Sequence, residues 1–229
     1  MAAASSGLNR FYMLLGATAV AAAAALAFVT LRKPDVSIPA NVVVTAADTN
    51  GFSGYYLGSD SAPITVTEYA DYECPACQQW FTIQFPTIEE RLIKTGQVRW
   101  RYRDFPLDMH RNSRPAAHAA ACADEQGKYW EMSHRIYSWE PNWTLKADGN
   151  GIFRDHAKAL GLDMARYDSC METAKFAGRI QAGRNEGGQV GVGSTPTFLI
   201  NGRLYPGGGA VHYDMLKAML DSLGRAASR

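Results

Sequence analysis

The chain has 229 residues, of which 47% are hydrophobic and 20% are charged, and its formal net charge is +1. This composition is ordinary for a folded protein with a buried core, and it excludes global disorder. The near-neutral charge, without a Lys/Arg cluster, gives no reason to expect nucleic acid as a partner. Behind an N-terminal stretch of targeting type, the chain has room for one compact domain of roughly 150 to 180 residues.

The first predicted element is an apolar helix close to the N-terminus. Residues 11–29 are apolar or small apart from Tyr12 and Thr18. Because roughly 20 such residues cross a bilayer, residues 1–33 are predicted to be a membrane anchor. The segment from Ala25 to Ala27 also offers the small-residue spacing that signal peptidase accepts, so a cleaved signal peptide is one alternative and a buried helix another. An anchor and a signal peptide both predict export.

The next stretch, residues 34–53, is rich in Pro, Ser, Asp, Asn and Gly and is predicted to be a linker. Within it, the three valines at 42–44 are predicted to form an edge strand. The folded domain is then expected to occupy residues 54–224, followed by a C-terminal tail over residues 225–229.

A strand, a helix and a second strand are predicted at the start of the domain. Residues 64–69 are β-branched and aromatic, as in a strand. Apolar residues at helical spacing from Cys77 to Lys94 predict a helix that begins at the cysteines and bends at Pro86. Residues 98–102 alternate apolar and basic side chains and predict the second strand. This order suits a parallel pair of strands.

The rest of the domain is predicted to be helical at first and then to return to strands. Residues 112–190 are rich in alanine and carry capping and stop signals that predict four or five short helices. Two strands follow at 194–200 and 203–205, and Asn201-Gly202 between them is the strongest short hairpin signal. A helix over 211–223 closes the domain. The whole order predicts an α/β fold with a mixed sheet.

The motif Cys74-Pro75-Ala76-Cys77 places two thiols at the start of a helix. Two residues of separation allow the sulfurs to bridge, and the first sulfur faces unpaired N–H groups at the positive end of the helix dipole. A thiolate is therefore favoured at Cys74, which predicts that Cys74 is the nucleophile and Cys77 the shielded, resolving thiol.

Half of a zinc site and a structural disulfide are the alternatives for this pair. Zinc would need two further ligands at compact spacing, which neither the other two cysteines nor the histidines supply, so no metal and no cofactor are expected. Cys122 and Cys170 lie in two predicted helices. In an exported chain they are predicted to form a structural disulfide, with buried free thiols or a redox relay as alternatives.

Two segments together resemble the DsbA-like branch of the thioredoxin superfamily: residues 67–77, which end in the cysteine motif, and residues 193–198, which contain Thr195-Pro196. The resemblance covers the whole predicted domain. It implies a thioredoxin-like fold with an inserted α-helical domain at about residues 105–190. It further implies that the Thr195–Pro196 bond is cis and that the backbone of Thr195 pairs with an extended substrate beside the nucleophile. An ordinary turn proline is the alternative.

Two further residues gain meaning from the resemblance. The resemblance implies that Glu68 occupies the position of the buried acid of thioredoxin-like proteins. Such an acid could take the proton of Cys77 through water. A solvated strand residue is the alternative for Glu68. Ala76 departs from the strongly oxidising relatives, which carry His there. Without that imidazole the thiolate of Cys74 loses one stabilising charge, and a milder oxidant is expected.

These observations predict an extracytoplasmic thiol-disulfide oxidoreductase that gives disulfides to exported proteins and is reoxidised by a membrane partner, as the resemblance implies. A reductase or isomerase of the same compartment is one alternative. A non-catalytic tether that binds a peptide or metal ion is the alternative from another class. The histidines are expected to be structural or solvated.

Overall fold

The computed structural model describes residues 4–31 and 36–227, and the chain divides into two compact units, Met1–Asp35 and Val36–Arg229. The first unit contains α1 (Ala4–Leu31), a single helix of 28 residues. Among the described residues, no helix combines the length and the apolarity that a bilayer crossing requires. The predicted transmembrane anchor over residues 1–33 is therefore not supported: α1 is long, but much of it is alanine, which is only weakly apolar.

In the second unit, the segment before the first strand packs on the domain. The carbonyl oxygen of Val36 accepts a hydrogen bond from the Nδ2 atom of Asn150 at 3.0 Å, and Ile38 is buried. The described part of the predicted linker over 34–53 thus belongs to the fold. Residues 42–44 form no strand, because the edge of the sheet is occupied by a later segment.

Five strands form one mixed sheet in the order β1-β3-β2-β4-β5. They are β1 (Tyr55–Leu57), β2 (Ile64–Ala70), β3 (Val98–Asp104), β4 (Thr197–Ile200) and β5 (Arg203–Pro206). β2 and β3 run parallel, and the other three pairings are antiparallel. The predicted α/β fold with a mixed sheet is confirmed, with β1 as an additional edge strand.

The helices of the second unit differ in detail from the prediction. They are α2 (Ala46–Thr49), α3 (Pro75–Ile83), α4 (Phe85–Ile88), α5 (Ser113–Asp124), α6 (Tyr129–Ser138), α7 (Glu140–Trp143), α8 (Asn150–Ala159), α9 (Met164–Glu172), α10 (Ala177–Val190) and α11 (Tyr213–Ala227). The helix predicted up to Lys94 is broken after Ile83, and a π-helical turn over Glu89–Ile93 completes it. The insertion contains six helices, α5 to α10, rather than four or five.

The sheet is covered on both faces. On one face, the indole of Trp80 in α3 lies 5.4 Å from that of Trp100 and 4.7 Å from the ring of Phe198, measured between centroids. On the other face, α10 approaches β3 closely at Gly183. A Cβ atom there would lie 2.7 Å from the carbonyl oxygen of Asp104, so a glycine is required at this crossing. The central strands are therefore buried on both sides.

The β4–β5 hairpin brings Thr195-Pro196 to the cysteines. Its turn residues Asn201 and Gly202 have φ values of 49° and 77°, as the tight turn of a two-residue hairpin requires. Because β4 runs antiparallel to β2, with Thr197 opposite Tyr69, the start of β4 lies at the end of β2. The cysteine motif follows that end of β2, so both motifs meet at one edge of the sheet.

Candidate active site

The cysteine motif occupies the first turn of α3. Cys74 is the N-cap residue of this helix and Pro75 is its first residue, a position where the N–H that proline lacks would have no helical partner. Cys74 is 7% exposed and Cys77 is fully buried, and both thiols are free. The sulfur-bearing residue Cys74 is therefore slightly accessible from the surface, and Cys77 lies beneath it.

The surroundings of Cys74 favour its thiolate. In the neutral form its thiol donates to the backbone carbonyl oxygen of Thr195 at 3.4 Å, a bond that the thiolate loses, so the stabilisation of the ion comes from other groups. The hydrogen bond from the Cys77 thiol is the largest cause that lowers the pKa of Cys74, to about 6; burial opposes it, while the Thr195 side chain and the N–H groups of Cys77 and Ala76 add to it. At neutral pH the sulfur of Cys74 is mostly ionised. Ala76 contributes through its backbone alone.

The surroundings of Cys77 have the opposite effect. Burial raises the pKa of Cys77 well above its usual value, and the hydrogen bond and negative charge of Cys74, together with the charge of Glu68, act in the same direction. Because only the thiolate attacks, the two thiols differ strongly in reactivity at neutral pH. Cys74 is the group suited to react first.

Glu68 lies on the face of β2 that α3 covers. Its side chain is 1% exposed, and its Oε2 atom accepts a hydrogen bond from the indole N–H of Trp100 at 2.9 Å. Its Oε1 atom has no hydrogen-bond partner among the described residues. Burial raises the pKa of Glu68 to about 8, although the hydrogen bond from Trp100 opposes this. The carboxyl is thus buried rather than solvated, and it can hold a proton at neutral pH.

Thr195-Pro196 lies beside the nucleophile. The peptide bond between the two residues is cis. The Pro196 carbonyl oxygen accepts from the N–H of Gly207 at 2.8 Å, and the hydroxyl of Thr197 donates to the Ser194 carbonyl at 2.7 Å. These bonds hold the loop against the hairpin, with the carbonyl of Thr195 directed at the sulfur of Cys74.

A second loop, after β3, is bonded to the loop that precedes the cysteines. The buried carboxylate of Asp71 accepts from the N–H of Glu73 through Oδ1, and from the N–H of Leu107 and the Nδ1 atom of His110 through Oδ2, each at 2.8 Å. The carboxylate of Glu73 accepts from the N–H of Asn112 at 2.5 Å. Sequence reasoning missed Asp71 and His110. Their positions after the ends of two parallel strands are the signal that could have found them.

The other cysteine pair lies within the helical insertion. Cys122 and Cys170 form a disulfide with an S–S distance of 2.03 Å and Cα atoms 5.9 Å apart. His118 lies beside them and is buried, which lowers its pKa to about 4. The sulfurs are bonded to each other, so they are not available as thiolate ligands for a metal ion.

Known proteins share the fold of the second unit over most of its length. A family model described as Thioredoxin matches residues 52–222. The crystal structure of oxidised BdbD from Bacillus subtilis superposes with a TM-score of 0.65 at 22% sequence identity, covering 78% of this chain and 94% of that one. The fold of the second unit is therefore shared with BdbD.

Curated relatives match by sequence as well. Disulfide bond formation protein D of Bacillus subtilis is 23% identical over 168 residues, which are 72% of this chain and 74% of that protein. Na(+)/H(+) antiporter NhaA 3 of Salinispora tropica is 38% identical over 151 residues, which are 66% of this chain but 22% of the antiporter. The chain thus spans about a fifth of the length of this antiporter.

Proposed function

The chain belongs to the thioredoxin family, with a DsbA-like fold, and from this we propose that it is a thiol-disulfide oxidoreductase that gives disulfides to exported proteins outside the cytoplasm. The observation that carries the proposal is the contrast between the two thiols of one helix turn: the pKa of Cys74 is lowered to about 6, whereas that of Cys77 is raised well above its usual value. Because only about a fifth of the antiporter aligns, ion transport is not part of the proposal.

The reaction begins with the Cys74–Cys77 disulfide. A substrate thiolate attacks the sulfur of Cys74, a mixed disulfide forms, and Cys77 leaves as a thiolate. Glu68, protonated at neutral pH, gives its proton to Cys77 through water. A second substrate thiolate then attacks the substrate sulfur of the mixed disulfide, and Cys74 leaves as a thiolate. The substrate is oxidised by two electrons, and the cysteine pair is reduced.

The loop at Thr195-Pro196 is proposed to hold the substrate during this exchange. Its backbone lies beside Cys74, where an extended chain can add as a short strand. Hydrogen bonds of this kind select an extended backbone and leave side-chain specificity low. This suits exported chains of many sequences as substrates, and a membrane redox protein as the partner that restores the disulfide.

The direction of transfer is supported by the thiolate of Cys74. A stabilised thiolate favours the dithiol form of the enzyme, which therefore tends to give its disulfide away. The pKa of about 6 lies between the value of about 3.5 for DsbA and about 7 for thioredoxin. A moderate oxidant is therefore expected, in keeping with Ala76 in the motif.

Equilibration with glutathione tests the direction. The ratio of dithiol to disulfide at Cys74 and Cys77, read by alkylation and mass mapping, gives the reduction potential. We expect a value between those of DsbA and thioredoxin, about −120 and −270 mV. A value at or below that of thioredoxin contradicts the role of disulfide donor and favours a reductase.

Trapping tests the nucleophile. The variant Cys77→Ser cannot resolve a mixed disulfide, so it should accumulate a reduced, unfolded test protein on Cys74 after activation of that sulfur with a small disulfide. The matched variant Cys74→Ser should accumulate none. If Cys74→Ser traps as much as Cys77→Ser, the assignment of the two thiols is wrong.

A further inference from the structure

The loop after β3 holds one histidine against the active site. Three hydrogen bonds join this loop to the one before the cysteines: from Leu107 and His110 to Asp71, and from Asn112 to Glu73. In the chain, His110 lies between Leu107 and Asn112, whose backbone N–H groups make two of these bonds. Its partner Asp71 is also bonded to the nucleophile, because the Asp71 carbonyl oxygen accepts from the N–H of Cys74 at 3.1 Å. The imidazole is thereby fixed beside the residues that precede Cys74.

The charge of this histidine follows from its partners. The hydrogen bond that His110 donates to Asp71 is the largest cause that raises the pKa of His110; burial opposes it, and the negative charges of Asp71, Glu73 and Cys74 add to it. The side chain of Asp71 is fully buried, whereas that of His110 is 19% exposed. Solvent therefore screens this pair incompletely. An imidazolium that the Cys74 thiolate favours must favour that thiolate in return.

The charged groups that face His110 come from two segments. Asp71, Glu73 and Cys74 belong to the loop and helix start after β2, and Glu140 comes from α7 of the insertion, where the charges of Cys74 and His110 both act on its carboxyl. Three carboxylates near a thiolate oppose its ionisation. His110 is the group of this set that can offset them.

We propose that the Asp71–His110 pair supplies, from the loop after β3, the cationic imidazole that the Cys-Pro-Ala-Cys motif lacks, and that this charge stabilises the thiolate of Cys74. The inference rests on the proposed disulfide exchange. It makes His110 a positioning residue, which acts on the sulfur through its charge and through its bond to Asp71, without touching the substrate. In the balanced reaction, two substrate thiolates become one disulfide, the enzyme disulfide becomes the Cys74 thiolate and the Cys77 thiol, and the proton on Cys77 comes from the carboxyl of Glu68. The imidazolium favours that product state and so favours donation.

A titration of the unaltered protein tests the coupling directly. The pKa of His110 is followed by NMR in the dithiol form and in the Cys74–Cys77 disulfide form. Because binding free energies are reciprocal, His110 should bind its proton about three- to tenfold more tightly in the dithiol form. Equal titration in the two forms overturns the proposal, and it does so without a substrate.

A pair of variants tests the consequence for Cys74. His110→Gln should shift the equilibrium with glutathione toward the disulfide form by about three- to tenfold, with the largest effect where the Cys74 thiolate and the imidazolium coexist. The difference from the unaltered protein should vanish at alkaline pH, where His110 is neutral. A merely structural effect would persist at every pH. A shift that persists, or none at all, overturns the proposal.

His134→Gln is the matched control, since His134 also faces a carboxylate, with its Nε2 atom 3.5 Å from Glu89. It should leave the equilibrium unchanged, and an equal shift in both variants would count against the proposal. His110→Lys retains a positive charge and should keep the Cys74 thiolate stabilised at alkaline pH. If Cys74 and Cys77 fail to equilibrate with glutathione in the unaltered protein, the proposed function fails, and the separate NMR titration still decides on His110.

Discussion

Replacing Cys77 by alanine and by serine separates the hydrogen bond to Cys74 from every other influence on that sulfur. Neither variant can form the Cys74–Cys77 disulfide, so Cys74 titrates alone. Cys77 is fully buried, and both replacements are small enough to occupy its site. Serine keeps a donor facing the sulfur of Cys74, whereas alanine removes it. The two variants therefore differ chiefly in the largest cause of the lowered pKa of Cys74.

The size of the difference follows from the strength of the bond. A hydrogen bond to a charged group contributes about 1.5–3 kcal/mol, which is about one to two pKa units. Cys77→Ser should keep the pKa of Cys74 near its value of about 6, whereas Cys77→Ala should raise it to about 7–8. At pH 7 the thiolate fraction then falls from roughly 90% to roughly 10–50%.

Thiolate absorbance at 240 nm, recorded against pH, measures both values, and the pH dependence of alkylation by iodoacetamide gives an independent reading. The Thr195 contact and the backbone N–H groups are common to the two variants. Their pKa values should therefore differ by the contribution of the donor alone. Indistinguishable titration curves would refute the view that Cys77 is the main stabiliser of the thiolate, and would transfer that role to the backbone at the start of α3.

Three further predictions concern stability. The pKa of Glu68 is about 8 in the folded protein, so the stability associated with its neutral form is full below about pH 4 and is lost as the pH rises through 8. In urea unfolding, the free energy of unfolding of Glu68→Gln should therefore exceed that of the unaltered protein by about 3–5 kcal/mol at pH 9 and by little at pH 4. An equal difference at both pH values would contradict the assignment of Glu68 as a buried acid. Removing the Cys122–Cys170 disulfide with a double alanine variant should lower the free energy of unfolding by about 4 kcal/mol, since the cysteines are 48 residues apart, while alkylation of Cys74 stays unchanged; a loss of Cys74 reactivity would indicate a relay instead. Asp163 caps α9 by accepting from the N–H groups of Ala165 and Arg166, so Asp163→Ala should cost about 1 kcal/mol in the same assay, whereas Asp163→Asn should cost little.

The features that the sequence predicts well are those whose cause lies within a few residues. The Asn201-Gly202 turn identifies the hairpin because both residues accept positive φ values. The cysteine spacing and Pro75 identify the start of α3 for a similarly local reason. The strand at residues 64–70 is predictable because its β-branched and aromatic side chains are those that a buried central strand favours.

The features that the sequence does not predict depend on contacts between distant segments. β1 has three residues, too few for a periodic pattern, and it exists because β3 offers an open edge. The bond between Asp71 and His110 joins residues 39 positions apart, and although each residue follows the end of a strand, no local pattern pairs the two. Glu68 is ambiguous in sequence for the same reason, since its burial depends on α3 and on Trp100 of the neighbouring strand.

The slight exposure of Cys74, 7%, bears on when in the life of a substrate the exchange can occur. A sulfur recessed between the start of α3 and the loop at Thr195 is reached by a cysteine on a protruding, extended segment, and is closed to one that lies flush with the surface of a finished domain. The recess therefore discriminates between cysteines in unfolded segments and cysteines in folded domains. Under the proposed function, exported chains that are still unfolded can reach Cys74 and folded proteins with the same cysteines cannot, so native thiols are spared without any recognition of their sequence.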